Sequence, residues 1–416
     1  MEAVIPLERN TNAELFPRSI QVPLNWMVFF GICPILDLLG VSFTFYIFIL
    51  LGRNLLMEGY KIFQLDSFFD LLILIMASAM IISYVFAKET FMPINPATEM
   101  MFLVQCMYWL VLILFIKTHR HRINFYEVAQ YMWMGITLAI LLYYTIGGMF
   151  TQNGFAFMMV CGVPIAFYYL LRRFNVAINV FFAAGYIAAA LMSQSRAGAL
   201  VVFGELTLIF SFAFPFVRNL IFASIPVLLL LIGLGFASGI DVEKTLGEIA
   251  DVVEPYNEDL GELIRDPMAV NETDASWQTR VLMMRKALYI IDQYPITGAG
   301  LGRFTDYWAD LDMTGLILKG SESRYNRKSA HNSYVMLLGE LGFLGFIPFI
   351  LILLTVLSRA VPLFFSSSYP TIVAFGAAFV GMCIHMWTIA AITGTMSWML
   401  LGMVYSVGQL MRDHRK

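Results

Sequence analysis

Charge is scarce in this chain: Asp, Glu, Lys and Arg make up only 13% of its 416 residues, whereas 59% are hydrophobic. So little charge excludes an ordinary soluble domain and indicates an integral membrane protein. Cysteine is almost missing. The four present, Cys33, Cys106, Cys161 and Cys383, sit in apolar segments without metal-ligand spacing, so they read as packing residues and neither a metal nor another cofactor is expected. A concentrated basic face is also lacking, and with a net charge of -3 nucleic acid is excluded as a partner. The first stretch, MEAVIPLERNTNAELFPRSI, has no basic start followed by an apolar core. No cleavable signal peptide is expected, and the amino terminus is expected to stay in the cytoplasm.

Long apolar runs, by contrast, recur along almost the whole chain, each close to the roughly 20 residues a helix needs to cross the hydrocarbon core. They predict an all-α polytopic membrane protein with about twelve spans, at 22–36, 39–56, 67–87, 98–116, 123–147, 154–171, 175–192, 197–214, 218–238, 331–357, 370–391 and 394–411. Pro34 in PILDLLG leaves the first two readable as short helices or as one kinked helix. Lys and Arg test the count, because short cytoplasmic loops are enriched in them. Fourteen of the 26 fall on the side of the amino terminus, two (Lys88 and Arg196) in short outer loops, and ten in one long loop that the rule does not cover. The chain thus divides into transmembrane helices 1 to 9 over residues 1–238, a loop subdomain over 239–330, and helices 10 to 12 over 331–416.

The long loop is acidic from Asp241 to Asp274, with eleven carboxylates against Lys244 and Arg265, and basic from Arg280 to Lys328. Within it, SWQTRVLMMRKALYIIDQYP reads as an amphipathic helix, with Trp277, Val281, Met284, Leu288 and Ile291 on one stripe. That stripe is expected to pack on the outer surface of the bundle, with Arg280 at its edge. Pro295 and the glycines of ITGAGLGRF then end the helix.

Three cationic or basic groups converge on the outer side. Arg196 begins the eighth span, Arg280 rides the loop helix, and His331 is expected in the first turn of the tenth span, with Ser329 as N-cap and the following N–H groups pointing outward. Two guanidinium forks suit a phosphate, since each donates parallel bonds and keeps its charge. The helix dipole and the cations disfavour imidazolium, so a neutral His331 is positioned to accept a proton. Each residue also has a plainer role open to it: headgroup snorkelling for Arg196, a salt bridge to the acidic half of the loop for Arg280, and helix-start structure for His331.

Other signals carry less. Asp310 and Asp312 in ADLDM have the spacing of a nucleotide-sugar metal motif but read as a solvated loop, and GAGLGRF, with no strand before it, reads as a turn. Asn271 in NET matches a glycosylation sequon in form only. Glu340, half a helical circle from His331, is expected to serve interhelical structure. Glu205, Asp37 and His385 have no assigned role.

SQSRAGAL, the stretch SWQTRVLMMRKALYIIDQYPITGAGLGRF and HNSYVMLLGELGFLGFIPFI, in that order around one large outer loop, resemble the O-antigen ligase and polymerase superfamily. The likeness covers roughly residues 180–357 by motif and the rest by hydropathy. It implies a GT-C-type glycosyltransferase of the bacterial inner membrane, acting at the periplasmic face without a metal ion. The donor would be a glycan on undecaprenyl pyrophosphate and the acceptor, for a ligase, lipid A-core. By that resemblance Arg196 and Arg280 match the arginines that handle the pyrophosphate, and His331 matches the catalytic histidine. A polymerase or a protein O-oligosaccharyltransferase of the same superfamily stays open. A polysaccharide or lipid transporter would instead require repeat-related halves with binding groups near the midplane, and the sequence contains no such repeat.

Overall fold

The computed structural model of the protein describes residues 65–87 apart from 66, 96–146, 152–214 apart from 194, 275–307 apart from 306, 330–365, 370–390 and 394–415, with a few positions between 216 and 255. Among these residues the chain is helical and contains no strand. Its α-helices are α1 (Phe68–Val85), α2 (Pro96–Thr118), α3 (Phe125–Ile146), α4 (Gln152–Arg173), α5 (Val176–Met192), α6 (Arg196–Ala213), α7 (Ala275–Gln293), α8 (Ser333–Phe365), α9 (Pro370–His385) and α10 (Thr395–Arg415). All but α7 fall on spans expected from hydropathy. The expected spans 22–36 and 39–56 lie outside the described residues, as does 218–238 but for Asn219.

Six helices, α1, α2, α3, α4, α6 and α8, are long and apolar enough to cross a membrane, and α5 and part of α9 are shorter apolar helices. Their outward positions are apolar as well, for example Phe68, Leu71, Ile75, Ile82 and Val85 along α1. A surface of that kind needs lipid, and the protein is a multi-pass membrane protein. At the centre stands α4, buried on every side from Phe155 to Leu170. Against it pack α3, α6 and α9, while α8 packs on α1 and α10, and α10 on α2.

The bundle has two distinct ends. At one, Lys117 Nζ donates to Asp70 Oδ2 at 2.6 Å, with both side chains buried. Asp70 also closes a capping box with Ser67 that starts α1. Arg120 pairs with Asp413 at 3.3 Å at the same end, where Arg172, Arg173 and Arg359 also lie near helix termini. This basic end contrasts with the opposite one, where α1 finishes, α6 and α8 begin, and α7 lies across the bundle.

The structure corrects three expectations. First, α8 is not continuous: Gly342 takes φ 58° and ψ -162°, which breaks the helix nine residues after its start. Second, α8 begins at Ser333, so His331 precedes the helix rather than sitting in its first turn. Asn332 is the cap, its Oδ1 accepting the N–H groups of Tyr334 at 3.0 Å and Val335 at 3.1 Å, and Ser329 lies outside the described residues. Third, the face of α7 that packs on α8 is Leu282, Met283, Lys286, Ala287 and Ile290, not the predicted stripe, whose Met284 and Leu288 are exposed. The Trp277 side chain lies outside the described part. Hydropathy finds apolar faces but cannot tell which of two a neighbour covers.

Candidate functional site

The end opposite the basic one gathers the residues picked out by sequence. A tight turn joins α5 to α6, with Ser193 Oγ donating to Ala190 O at 2.6 Å and accepting the Ser195 N–H at 3.3 Å. It delivers the half-buried Arg196 as the first residue of α6. Gly198 lets this start approach the start of α4, since a Cβ there would stand 2.6 Å from the Cβ of Ala156. Farther along, Glu205 and Val201 of α6 lie against Gly381 of α9. The two helices run antiparallel, so the nine residues from Glu205 back to Arg196 rise about 13 Å toward the end where His385 closes α9.

The start of α8 is fastened to that same terminus of α9. Ser333 N–H donates to Met386 O at 2.8 Å and Ser333 Oγ to Ile389 O at 2.7 Å, while Tyr334 Oη donates to Cys383 O at 2.8 Å. Of these carbonyls, that of Cys383 belongs to the last turn of α9, and those of Met386 and Ile389 to the turn that follows it. His331, half-buried, sits just before Asn332 with φ 46°, a left-handed backbone that costs a non-glycine residue on the order of 1 kcal/mol. Fixed attachments on its C-terminal side hold it there.

These bonds overturn one element of the predicted site. The N–H groups of Ser333, Tyr334 and Val335 are all taken by protein acceptors. The helix start therefore offers an anion no free donors in its first turn, and attraction for a phosphate has to come from side chains.

Arg280 reaches this end from α7. It is half-buried, and its charge acts on His385, an imidazole that sequence reasoning left unassigned. His385 is fully buried, with its ring 6.1 Å from that of Phe157 near the start of α4. Thr388 Oγ1 donates to His385 O at 2.8 Å and stands 2.9 Å from His385 Nδ1. Arg196, Arg280, His331 and His385, from four different segments, thus share one end of the bundle.

What holds α7 in place is the glycine-rich turn after it. Breaking α8 at Gly342 frees the carbonyls of Gly339 and Glu340 and the N–H groups of Phe343 and Leu344, which would otherwise pair with each other. The turn takes all four. Ala299 and Gly300 donate to Gly339 O and Glu340 O at 2.9 and 3.0 Å, and Phe343 and Leu344 donate to Pro295 O and Ile296 O at 2.8 and 3.1 Å. Irregular backbone is tolerated at membrane depth only when satisfied in this way.

Glu340 corrects the expectation of an interhelical role. Its buried carboxylate accepts the backbone N–H of Phe304 at 3.4 Å and that of Gly302, so it clasps the turn instead of a neighbouring helix. Lys286, fully buried on α7, reaches Thr305 O at 3.3 Å and lies 5.1 Å from the centre of the Phe304 ring. Sequence reasoning missed both roles. The signal was present in the alternating Gly298, Gly300 and Gly302, all at positive φ, because such spacing marks backbone that must approach another backbone. In the same region, burial and the neighbouring Tyr294 push the Tyr307 hydroxyl above its usual pKa. Asp310, Asp312, Asn271 and Asp37 lie outside the described residues.

Residues 178–350 match the family model described as O-antigen ligase. This segment is similar to that family, and the match spans Arg196, Arg280, His331, the glycine-rich turn and the break in α8. No curated protein matches the chain.

Proposed function

We propose that this protein is an O-antigen ligase: a glycosyltransferase that moves O-polysaccharide from undecaprenyl pyrophosphate to lipid A-core at the periplasmic face of the bacterial inner membrane. What supports the reading is that Arg196, Arg280 and His331 all lie toward one end of the bundle, within the segment that matches the O-antigen ligase family. Orientation is supported by the clustering of Lys117, Arg120, Arg172 and Arg173 at the other end, which the positive-inside rule makes cytoplasmic. In this reading the whole chain has about twelve spans with both termini cytoplasmic, a GT-C architecture, and a periplasmic subdomain over residues 239–330.

The chemistry asks little of the enzyme beyond charge control and one proton transfer. The bond between the anomeric carbon and the bridging oxygen of the pyrophosphate breaks, and its electron pair leaves with the lipid pyrophosphate. Arg196 and Arg280 stabilise the charge that grows there. An acceptor hydroxyl attacks from the opposite face and inverts the anomeric centre, while His331 takes its proton, a contribution worth about 10²–10⁴ in rate. Because the helix start has its donors occupied, the arginine forks carry the anion binding.

Two experiments test the proposal. Glycan transfer by the purified protein from lipid pyrophosphate, without ATP and in the presence of EDTA, is expected; strict dependence on a divalent ion would overturn the mechanism, and absence of transfer would favour transport. Deleting the gene is expected to leave core lipid without O-polysaccharide while full-length lipid-linked glycan accumulates. A single capped repeat on the core would identify a polymerase instead, and intact lipopolysaccharide with loss of protein glycans an O-oligosaccharyltransferase.

A further inference from the structure

α7 has two apolar faces, and among the described residues protein covers only one of them. Leu282, Met283, Ala287 and Ile290 are buried against α8, whereas Met284 is 47% and Leu288 60% exposed. Those two form the middle of the stripe that the sequence marks most strongly, with Val281 and Ile291 half-buried beside them. At about 100° per residue the four positions fall within an arc of roughly 80°, with Asp292 and Arg285 on its polar flank and Arg280 on its other edge, next to the buried face. An uncovered apolar stripe of this kind calls for a partner.

Continuity says which partner. Ile296, 66% exposed, accepts the N–H of Leu344 at 3.1 Å, which sets it at the head of the outward row of α8 formed by Phe343, Ile347, Leu351 and Leu354. That row belongs to a membrane-crossing helix and faces lipid. The exposed stripe of α7 runs into it through Ile296.

Depth gives the same answer. Ser83 Oγ lies 3.0 Å from Thr297 O and 2.8 Å from Glu340 O, so these residues share one level, near the end of α1. From Phe68 to Val85, α1 rises about 27 Å, close to the thickness of the hydrocarbon core, which places that level at its edge. Ser333, seven residues before Glu340, stands about 10 Å farther out, level with the Met386 carbonyl that it binds. Arg280 acts on the neighbouring His385. A β-carbon on Gly339 would stand 3.7 Å from that of Ala287, so α7 passes the same level as Glu340 midway along its length and lies in the headgroup layer.

We infer that α7 is an interfacial helix whose stripe Val281, Met284, Leu288 and Ile291, with Ile296, rests in the headgroup and upper acyl region of the leaflet at this end. The surface is a lipid-binding one, and it stands on the bundle geometry whether or not glycosyl transfer is the reaction. Arg280, on the seam between that stripe and the face packed on α8, comes to lie where lipid phosphates are. A phosphate on a lipid reaches it without leaving the headgroup layer.

Spin labelling tests this in the full chain reconstituted into phosphatidylethanolamine and phosphatidylglycerol liposomes, with the four native cysteines replaced by serine. A nitroxide on Leu288→Cys is expected to collide with oxygen and to be shielded from a water-soluble nickel chelate, as is one on Ile347→Cys. Strong nickel collisions at position 288 would mean water covers the stripe, and low collision rates with both reagents would mean that protein or a second copy does. Either result overturns the inference. As a measurement that keeps the native cysteines, benzoylphenylalanine introduced at position 284 is expected to give lipid adducts on irradiation, and chain dimers in their place would count against the leaflet.

Discussion

Gly342 stands so close to Ile296 that a β-carbon on it would lie 2.4 Å from the Ile296 carbonyl oxygen. Its φ of 58° adds backbone strain for any other residue. Gly342→Ala is therefore expected to lower stability by roughly 2–4 kcal/mol and to free the turn for proteolysis. Gly204→Ala, where nothing lies within 4 Å of the new methyl group, is the control and should change the unfolding midpoint little. Equal midpoints for the two variants would mean that the turn does not enter the break in α8.

Glu340 accepts from the N–H groups of both Gly302 and Phe304. Glu340→Ala leaves two buried donors without an acceptor and should cost about 1–3 kcal/mol for each group stranded. Glu340→Gln keeps an acceptor oxygen and is expected to retain most of the stability. Thermal unfolding in detergent of the three proteins reads the difference.

At His331 the backbone and the side chain make opposite predictions. Glycine relaxes φ 46°, so His331→Gly should leave the midpoint unchanged or raise stability by about 1 kcal/mol, while transfer falls by about 10²–10⁴. A variant that unfolds instead would assign His331 a structural role. One that stays active would remove it from the chemistry.

Arg280→Lys keeps the charge and loses the fork. If two parallel bonds to a phosphate matter, transfer should fall about 10- to 100-fold at unchanged expression. Full activity in this variant would reduce the role of Arg280 to that of a point charge.

The buried pair at the basic end offers a test independent of function. Lys117→Met removes the cation paired with the buried Asp70 carboxylate, leaving it its Ser67 bonds, and should cost about 3–5 kcal/mol. Adding Asp70→Asn should recover part of that, and a double-mutant cycle gives the coupling. Additive losses would show that the 2.6 Å contact contributes nothing of its own.

Much of the candidate site stands out in sequence because its residues advertise themselves by being costly. Arg196 at the mouth of an apolar span and His331 before another are hard to explain by hydropathy alone. Gly298, Gly300 and Gly302 were just as visible, yet what they approach, the break at Gly342, lies about forty residues farther on. His385 looked like one more intramembrane polar residue until the end of α9 met the start of α8 and the Arg280 side of α7. Met284 and Leu288 were recognised as apolar and assigned to the wrong neighbour.

The sequence by itself determined that this is a helical membrane protein, where its described helices run and which end of them is basic, because transfer to lipid and helix formation depend on residues close together in the chain. Only the tertiary structure decided that α8 is broken and refilled by the turn after α7, that the first N–H groups of α8 are spent on α9 and its cap, and which face of α7 is left to the membrane. Those outcomes depend on backbone groups from distant segments finding partners, and hydrophobicity along the chain carries no record of which segments meet.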